Sequence, residues 1–318
     1  MNAEVSSLSK LNPNGPYERM TIEMTERFRA ALEAFRRNPE SEKHSLEMAF
    51  RDLSKGLVQS AYRFDAGATF FRGRIMEQRP SLISEISAPP PSRCKLGRVN
   101  QEGESIFYAA TARAAVPFEI RIQEGQTFAL GHWKLRRKLT AIVVAHHQSI
   151  FARNGSQRFP PLSFQGPWSQ ENAYRIGEQM LAEVFGADSN DENHKCSSFI
   201  ASIIRTMKLD GGFGYGLLYP TMAMGCNADN VAVKPRLADS HLELEHVEFL
   251  RLTKWEGLVG SLETIAVARK FSRGKINWET ERGITLGPGE AMKVFVENGM
   301  YRFAKELPDG SLGAVCTL

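Results

Sequence analysis

No segment of this chain stays apolar for the roughly 18 residues that a membrane-spanning helix requires, and its opening string MNAEVSSLSKLNPNG has no basic patch leading into an apolar stretch. A soluble protein that is not exported is therefore expected. Cysteine is scarce: Cys94, Cys196, Cys226 and Cys316 are the only four, too scattered for a zinc finger or a disulfide framework. That usage fits a reducing cytoplasm and a protein with no metal of its own. A large charge of one sign is also missing, since 40 Lys and Arg face 36 Asp and Glu for a net charge of +4. So small an excess calls for neither nucleic acid nor an anionic membrane as partner, although a local basic site for phosphates remains open. No internal repeat is present, which sets aside solenoids and propellers.

The remaining 42% hydrophobic and 24% charged residues are those of an ordinary globular protein of 318 residues with a real core. Residues 1 to 16, with Asn12-Pro13-Asn14-Gly15-Pro16, read as a flexible lead-in. From Tyr17 to Arg37 the spacing of Met24, Phe28, Leu32 and Phe35 predicts a helix that Asn38-Pro39 stops. A second helix is predicted from Glu42 to Ser60 through Leu46, Phe50, Leu53 and Leu57, and this hairpin must cover something else. From Thr69 the texture changes to short apolar runs between turn residues, which predicts strands. They are Thr69 to Ile75, Ser105 to Ala109 and Leu139 to Ala145, with an Ala-rich helical turn at Thr111 to Val116 and an element bounded by Glu119 and Ile122. Ala88-Pro89-Pro90-Pro91 reads as an extended connection. Beyond a Gly, Pro and Ser-rich loop from Asn154 to Pro167, helices are predicted over Gln170 to Phe185 and Asn193 to Met207, then a strand Gly216 to Thr221. His246 to Thr253 and Leu262 to Phe271 read as strands, and Met292 to Ala304 as a meander with turns at Asn298-Gly299 and Asp309-Gly310. The expected fold is mixed α/β. Residues 1–62 form a helical extension, 63–240 the core, and 241–318 a β-rich extension packed on it.

Four segments place polar groups at strand ends or turns, where a rigid scaffold aims them into a cleft. They are Phe70-Phe71-Arg72-Gly73-Arg74, Gly97-Arg98-Val99-Asn100, Ile106-Phe107-Tyr108-Ala109-Ala110 running on to Pro117-Phe118-Glu119, and Leu218-Tyr219-Pro220-Thr221 with Asn230 downstream. In this order they resemble the RES-domain family, named for its arginine, glutamate and serine, which includes NAD-degrading toxins of bacterial toxin-antitoxin pairs. The resemblance spans residues 69 to 235 and is strongest in GRVNQEGESIFYAATARAAVPFE; in GLLYPTMAMGCNADNVAV, Thr221 stands where the family has serine. It implies an ADP-ribosyltransferase-like fold and cleavage of the nicotinamide-ribose bond. The acceptor could be water, inorganic phosphate, or a protein or nucleic-acid group. Family analogy also implies restraint by an antitoxin or inhibitory protein.

Breaking that bond builds positive charge on the ribose, so a carboxylate beneath the sugar stabilises the transition state more than the ground state. Glu119 is the candidate. Arg72, supported by Arg74 and Arg98, suits the diphosphate, because guanidinium pairs with such oxygens through two parallel bonds. Tyr108 suits stacking on nicotinamide, while Thr221, Tyr219 and Asn230 would bond the ribose or the amide. Each residue also has a plainer reading, as ion-pair partner, solvated acid, core aromatic or turn residue. His146-His147 reads as a structural pair and Lys134 to Lys138 as a solvated strand or turn face. Gly211-Gly212-Phe213-Gly214 lacks the strand-turn-helix context of a dinucleotide-binding loop, which rejects a Rossmann dehydrogenase. A reading of another class is an NAD-binding module without turnover. The N-terminal helices could also pair with a second copy of the chain.

Overall fold

The computed structural model describes residues 20–56, 61–156, 168–187, 190–207, 216–256, 259–279, 291–297, 300–306 and 310–317. The lead-in over residues 1–16, the Gly211 to Gly214 segment, the Asn298-Gly299 turn and all but the start of the Asn154 to Pro167 loop lie outside them.

Helices α1 (Ile22–Arg37) and α2 (Pro39–Gly56) form the expected hairpin. The Thr21 side chain accepts the Met24 N–H at 3.2 Å, Glu23 sits at the positive helix start, and Arg36 and Arg37 sit at the negative end. Pro39 opens α2 because its ring fixes φ and its missing N–H is not needed in a first turn. Phe28, Leu32, Phe35, Leu46, Phe50 and Leu53 are buried in one cluster with Val184, Phe185, Ile200 and Ile203 of two later helices, and Phe35 stacks on Phe199 at 5.2 Å. The surface that this hairpin covers thus belongs to its own chain.

The strands are β1 (Ala61–Phe64), β2 (Thr69–Ile75), β3 (Phe107–Ala110), β4 (Thr127–Leu135), β5 (Leu139–Val143), β6 (Gly216–Pro220), β7 (Asp229–Val233), β8 (Leu242–Glu256), β9 (Val259–Ala268), β10 (Lys270–Ser272), β11 (Lys275–Asn277), β12 (Ala291–Glu297), β13 (Met300–Glu306) and β14 (Leu312–Thr317). All but β10 and β11, which pair with each other, join one sheet in the order β1-β5-β6-β7-β3-β2-β4-β8-β9-β12-β13-β14. Strands β5 and β6 are parallel, and the connection between them carries α4 (Gln148–Arg153), α5 (Trp168–Gly186) and α6 (Asp191–Ile204). Helices α5 and α6 pack with Ile142, Val144, Leu217, Tyr219 and Ala232 on one side of the sheet. On another side Phe70, Phe107, Trp133, Leu218 and Val247 build a second core, against which α7 (Pro235–His241) contributes Ala238. The protein is therefore mixed α/β. Strands β8, β9 and β12 to β14 continue the same sheet, and β8 pairs along all of β4 from Thr127–Arg251 to Leu135–Leu242.

Several predicted boundaries shift. The element that Glu119 bounds is a short helix, α3 (Val116–Glu119), since Pro117 fixes a helical φ in its first turn. Pro91 begins a 3₁₀ turn, Pro91–Arg93, so the proline run is not extended throughout. Strand β4 went unpredicted. The basic run from Lys134 to Lys138 forms the end of β4 and the turn into β5, with Leu135 buried and its charged neighbours exposed. His146 and His147 have structural partners: His146 Nε2 meets Asp229 Oδ1 at 3.0 Å, and the His147 ring caps α4 by accepting the Ser149 N–H. Among the described residues no helix is long and apolar enough to cross a membrane. Cys94 and Cys196 form no disulfide, and both, like Cys226, are buried.

Candidate active site

Strands β2 and β3 pair through a single register position, Phe71 opposite Ala110, and the sheet opens beside it. A cavity of about 950 Å³ lies there, within the range that holds small-molecule and cofactor ligands. Phe71, Arg72 and Gly73 of β2, Tyr108 to Ala110 of β3, the Leu96 to Arg98 turn, α3 through Arg121, and the α5–α6 junction line it, with Tyr219 and Asn230 between them. Six sequence-predicted residues, Arg72, Arg98, Tyr108, Glu119, Tyr219 and Asn230, therefore meet in one hollow.

Glu119 lines this cavity and is solvent-accessible, although protein crowds around its carboxyl. That crowding raises its carboxyl pKa; a hydrogen bond from Asn230 and the charges of Arg98 and Arg121 oppose the rise. Asn230 is buried opposite Ala110 on one side and Tyr219 on the other, so two strand registers set the amide that orients the acid. Gly73 seats α3 on β2, since a Cβ at this position would lie 2.2 Å from Val116 Cγ1 and 3.3 Å from Ile120 Cγ2. Gly73→Ala should push α3 outward, lowering stability by about 1–3 kcal/mol in a urea melt and slowing any reaction that depends on Glu119. A wild-type midpoint would overturn this.

Arg72 lines the cavity, with part of its guanidinium already committed. Its Nε donates to Ile86 O at 3.1 Å and Ser87 O at 3.2 Å, and its Nη1 to Tyr108 O at 2.7 Å, tying β2 to β3 where their ladder fails. Burial, then nearby Arg74, lowers its pKa to about 10, which leaves it charged at neutral pH. It brings positive potential to the cavity wall. Arg98 is pinned in turn, its Nη1 donating to Phe185 O and to Ala187 O at the end of α5. Burial lowers its pKa against the pull of Tyr219, Glu119 and Tyr108. The Tyr108 hydroxyl donates to Asn100 Oδ1 at 2.6 Å, and Gly97 leaves room for that contact, as a Cβ there would lie 2.5 Å from Asn100 Oδ1. Burial drives the phenols of both Tyr108 and Tyr219 well above their ordinary pKa, so both stay neutral donors.

Two expected residues fall outside the site. Arg74 does not line the cavity; its Nη1 donates to Glu85 O at 2.7 Å and fastens the loop after β2. Thr221 is fully buried just past β6, its backbone N–H bonded to Ala228 O at 2.9 Å, its carbonyl accepting from Cys226 N at 2.8 Å. Its hydroxyl has no hydrogen-bond partner and the residue does not line the cavity. An unmet buried hydroxyl costs on the order of 1–3 kcal/mol, so Thr221→Val, of nearly the same shape, should raise the denaturation midpoint without changing ligand affinity. Weaker ligand binding in this variant would restore Thr221 to the site.

The sequence reading missed Arg121, Arg153, Asn190, Asp191 and His194, all of which line the cavity. Arg121 stands at φ 51°, a left-handed conformation rare outside glycine, which turns its side chain from the end of α3 toward the hollow. Arg153, His194 and Asp191 sit on helices, where isolated charges read as solvated. With them the lining holds the four arginines Arg72, Arg98, Arg121 and Arg153 against the carboxylates Glu119 and Asp191. Its field favours an anionic ligand.

One other cluster has ligand chemistry. Among the described residues His132, His246 and Glu248 bring donor atoms within 4.8 Å of one another, as a metal site would need. Glu248 Oε2, however, already accepts from Arg113 Nη2 at 3.0 Å and meets His132 Nε2 at 2.9 Å, and His132 stacks on His246 at 3.6 Å. These groups satisfy each other, and the arginine opposes a second cation.

In comparisons with known proteins, the chain matches no family model, no curated protein and no solved structure.

Proposed function

We propose that the protein breaks the nicotinamide-ribose bond of NAD, as the RES-domain resemblance implies. The observation that carries this reading is a solvent-accessible carboxylate, Glu119, hydrogen-bonded by Asn230 in a cavity whose wall also holds four arginines, two tyrosines and a second carboxylate, Asp191. Arginines suit the diphosphate of the dinucleotide, tyrosine rings suit its bases, and one carboxylate suits a ribosyl cation. The cavity volume suits a ligand larger than a mononucleotide. The mixed sheet with helices α5 and α6 on one side is compatible with an ADP-ribosyltransferase-like core. By the same analogy the protein is a toxin or defence effector, held by an antitoxin or inhibitory partner.

Catalysis would proceed through charge placement. As nicotinamide departs with the bonding electron pair, the carboxylate of Glu119 faces the positive charge growing on the sugar, while Arg72, Arg98 and Arg121 hold the phosphates and keep the reacting carbon in place. An alternative with its own observation behind it is a module that binds NAD without turnover, because the hydroxyl of Thr221 stands outside the cavity. Purified protein incubated with NAD separates the two. Free nicotinamide accumulating over time supports the enzyme, and stoichiometric binding with no release supports the module. An absence of both binding and release overturns the assignment.

A further inference from the structure

Helix α3 ends in a turn that ordinarily takes glycine. The Arg121 N–H donates to Phe118 O at 3.1 Å and the Ile122 N–H to Pro117 O at 3.2 Å, the paired bonds of a left-handed helix cap, with Arg121 itself at the left-handed position, φ 51°. Only a residue without a Cβ takes that conformation freely, so an arginine strains the cap. Its neighbours hold it there. Ile122 is buried, its carbonyl accepts from Trp255 Nε1 of β8 at 3.1 Å, and the Arg121 carbonyl accepts from Gln123 Nε2 at 3.0 Å. Backbone strain fixed in this way collects at ligand sites.

The side chain that the strained cap delivers differs from the other three arginines of the cavity wall. Arg72 donates to three backbone carbonyls, Arg98 to two and Arg153 to Gly186 O. Arg121 is exposed, and its guanidinium has no hydrogen bond or ion pair with any described residue. Burial is the main influence on the pKa values of Glu119, Arg98 and His194, and the charge of Arg121 lowers all three. A charge felt by residues of three separate segments of the lining stands over the hollow and is not turned away from it. Arg98 and Arg121 repel each other there, and an anion between them removes that cost.

Resting on the NAD-cleaving reading, we propose that Arg121 is the principal grip on the ligand's diphosphate, presenting two parallel N–H groups to its oxygens, while Arg72, Arg98 and Arg153 add positive potential around it. A planar fork matches two phosphate oxygens at once, which lysine does not reproduce. The free protein gives up stability at the cap, and the bound ligand is what that arginine serves. One substitution should therefore move stability and affinity in opposite directions.

Thermal melts without ligand, and calorimetry of the full chain with ADP-ribose, inorganic pyrophosphate and adenosine, test this on wild type, Arg121→Gly and Arg121→Lys. Arg121→Gly should raise the melting midpoint by about 1–3 °C as the cap relaxes. The same variant should bind ADP-ribose and pyrophosphate about 10- to 100-fold more weakly, with adenosine, which has no phosphate, unaffected. Arg121→Lys keeps the charge without the fork and should lose about tenfold in affinity with no gain in midpoint. Unchanged affinity for ADP-ribose and pyrophosphate in both variants would overturn the role of Arg121 and leave NAD cleavage standing. So would a lower midpoint in Arg121→Gly together with an equal loss for adenosine, because the arginine would then be supporting the fold. Pyrophosphate bound by wild type and lost in Arg121→Gly, with no nicotinamide released from NAD, supports the grip and removes the cleavage. If wild type binds neither ADP-ribose nor pyrophosphate, both fall.

Discussion

Replacing Glu119 with glutamine should slow nicotinamide release about a hundred- to a thousandfold while NAD affinity stays close to wild type. The substitution keeps shape and removes only charge. Ground-state NAD carries its positive charge on the nicotinamide ring, whereas in the transition state that charge moves onto the ribose, so the lost attraction weighs on kcat more than on binding. Folding should be unharmed, because protein crowding raises the Glu119 pKa and the ionised carboxyl is therefore a burden on the folded state. Asn230 can still bond the amide oxygen of glutamine. Nicotinamide release at the wild-type rate would remove Glu119 from the chemistry, and a parallel fall in melting temperature and rate would show a positional role instead.

What the sequence reveals of this site depends on how local its signals are. Strand β2 was legible at both ends because Thr69–Ile75 is a short apolar run between turn residues. Strand β4, Thr127–Leu135, was not, since Gly131 and His132 interrupt its apolar pattern and its pairing with β2 and β8 is long-range. Period-two spacing puts Arg72 with Arg74 and Tyr219 with Thr221 on common faces, yet one member of each pair leaves the site. Arg74 is drawn to a loop carbonyl, and Thr221 lies beyond the strand end, where the alternation stops. Arg121, Arg153 and His194 were hidden for the converse reason. Their positions come from a left-handed residue and from two helices folded against the sheet, neither of which leaves a periodic trace.

The network around Glu248 accounts for why a strand so far along the chain matters to the site. Arg113 precedes α3, and its Nε and Nη2 both donate to Glu248 Oε2 of β8, at 3.1 and 3.0 Å, across 135 residues. This pair is almost closed to solvent, with side chains 16% and 7% exposed, and it anchors the segment that carries Glu119. Glu248→Ala should therefore destabilise the protein by about 3–5 kcal/mol at neutral pH, because it takes from the buried Arg113 guanidinium the carboxylate that two of its nitrogens bond. Arg113→Met combined with Glu248→Leu should recover most of that loss, since removing both charges removes the desolvation cost along with the attraction.

Acid should dismantle the same network in two stages. Burial, then His132, pushes the His246 pKa down to about 4, so the unfolded chain takes up a proton there that the folded one refuses. Stability from this residue is present above the ordinary imidazole value and is lost as pH falls toward 4. Burial disfavours the Glu248 carboxylate, but the His132 hydrogen bond and Arg113 outweigh it and hold its pKa at about 2. Its contribution persists above the usual carboxylate range and disappears as pH approaches 2. Chemical denaturation at a series of pH values should accordingly show stability declining first below about pH 6.5 and again below about pH 4.5. His246→Asn should blunt the first decline and Glu248→Ala the second; a Glu248→Ala curve parallel to wild type at every pH would mean that this ion pair is not what holds α3 to the sheet.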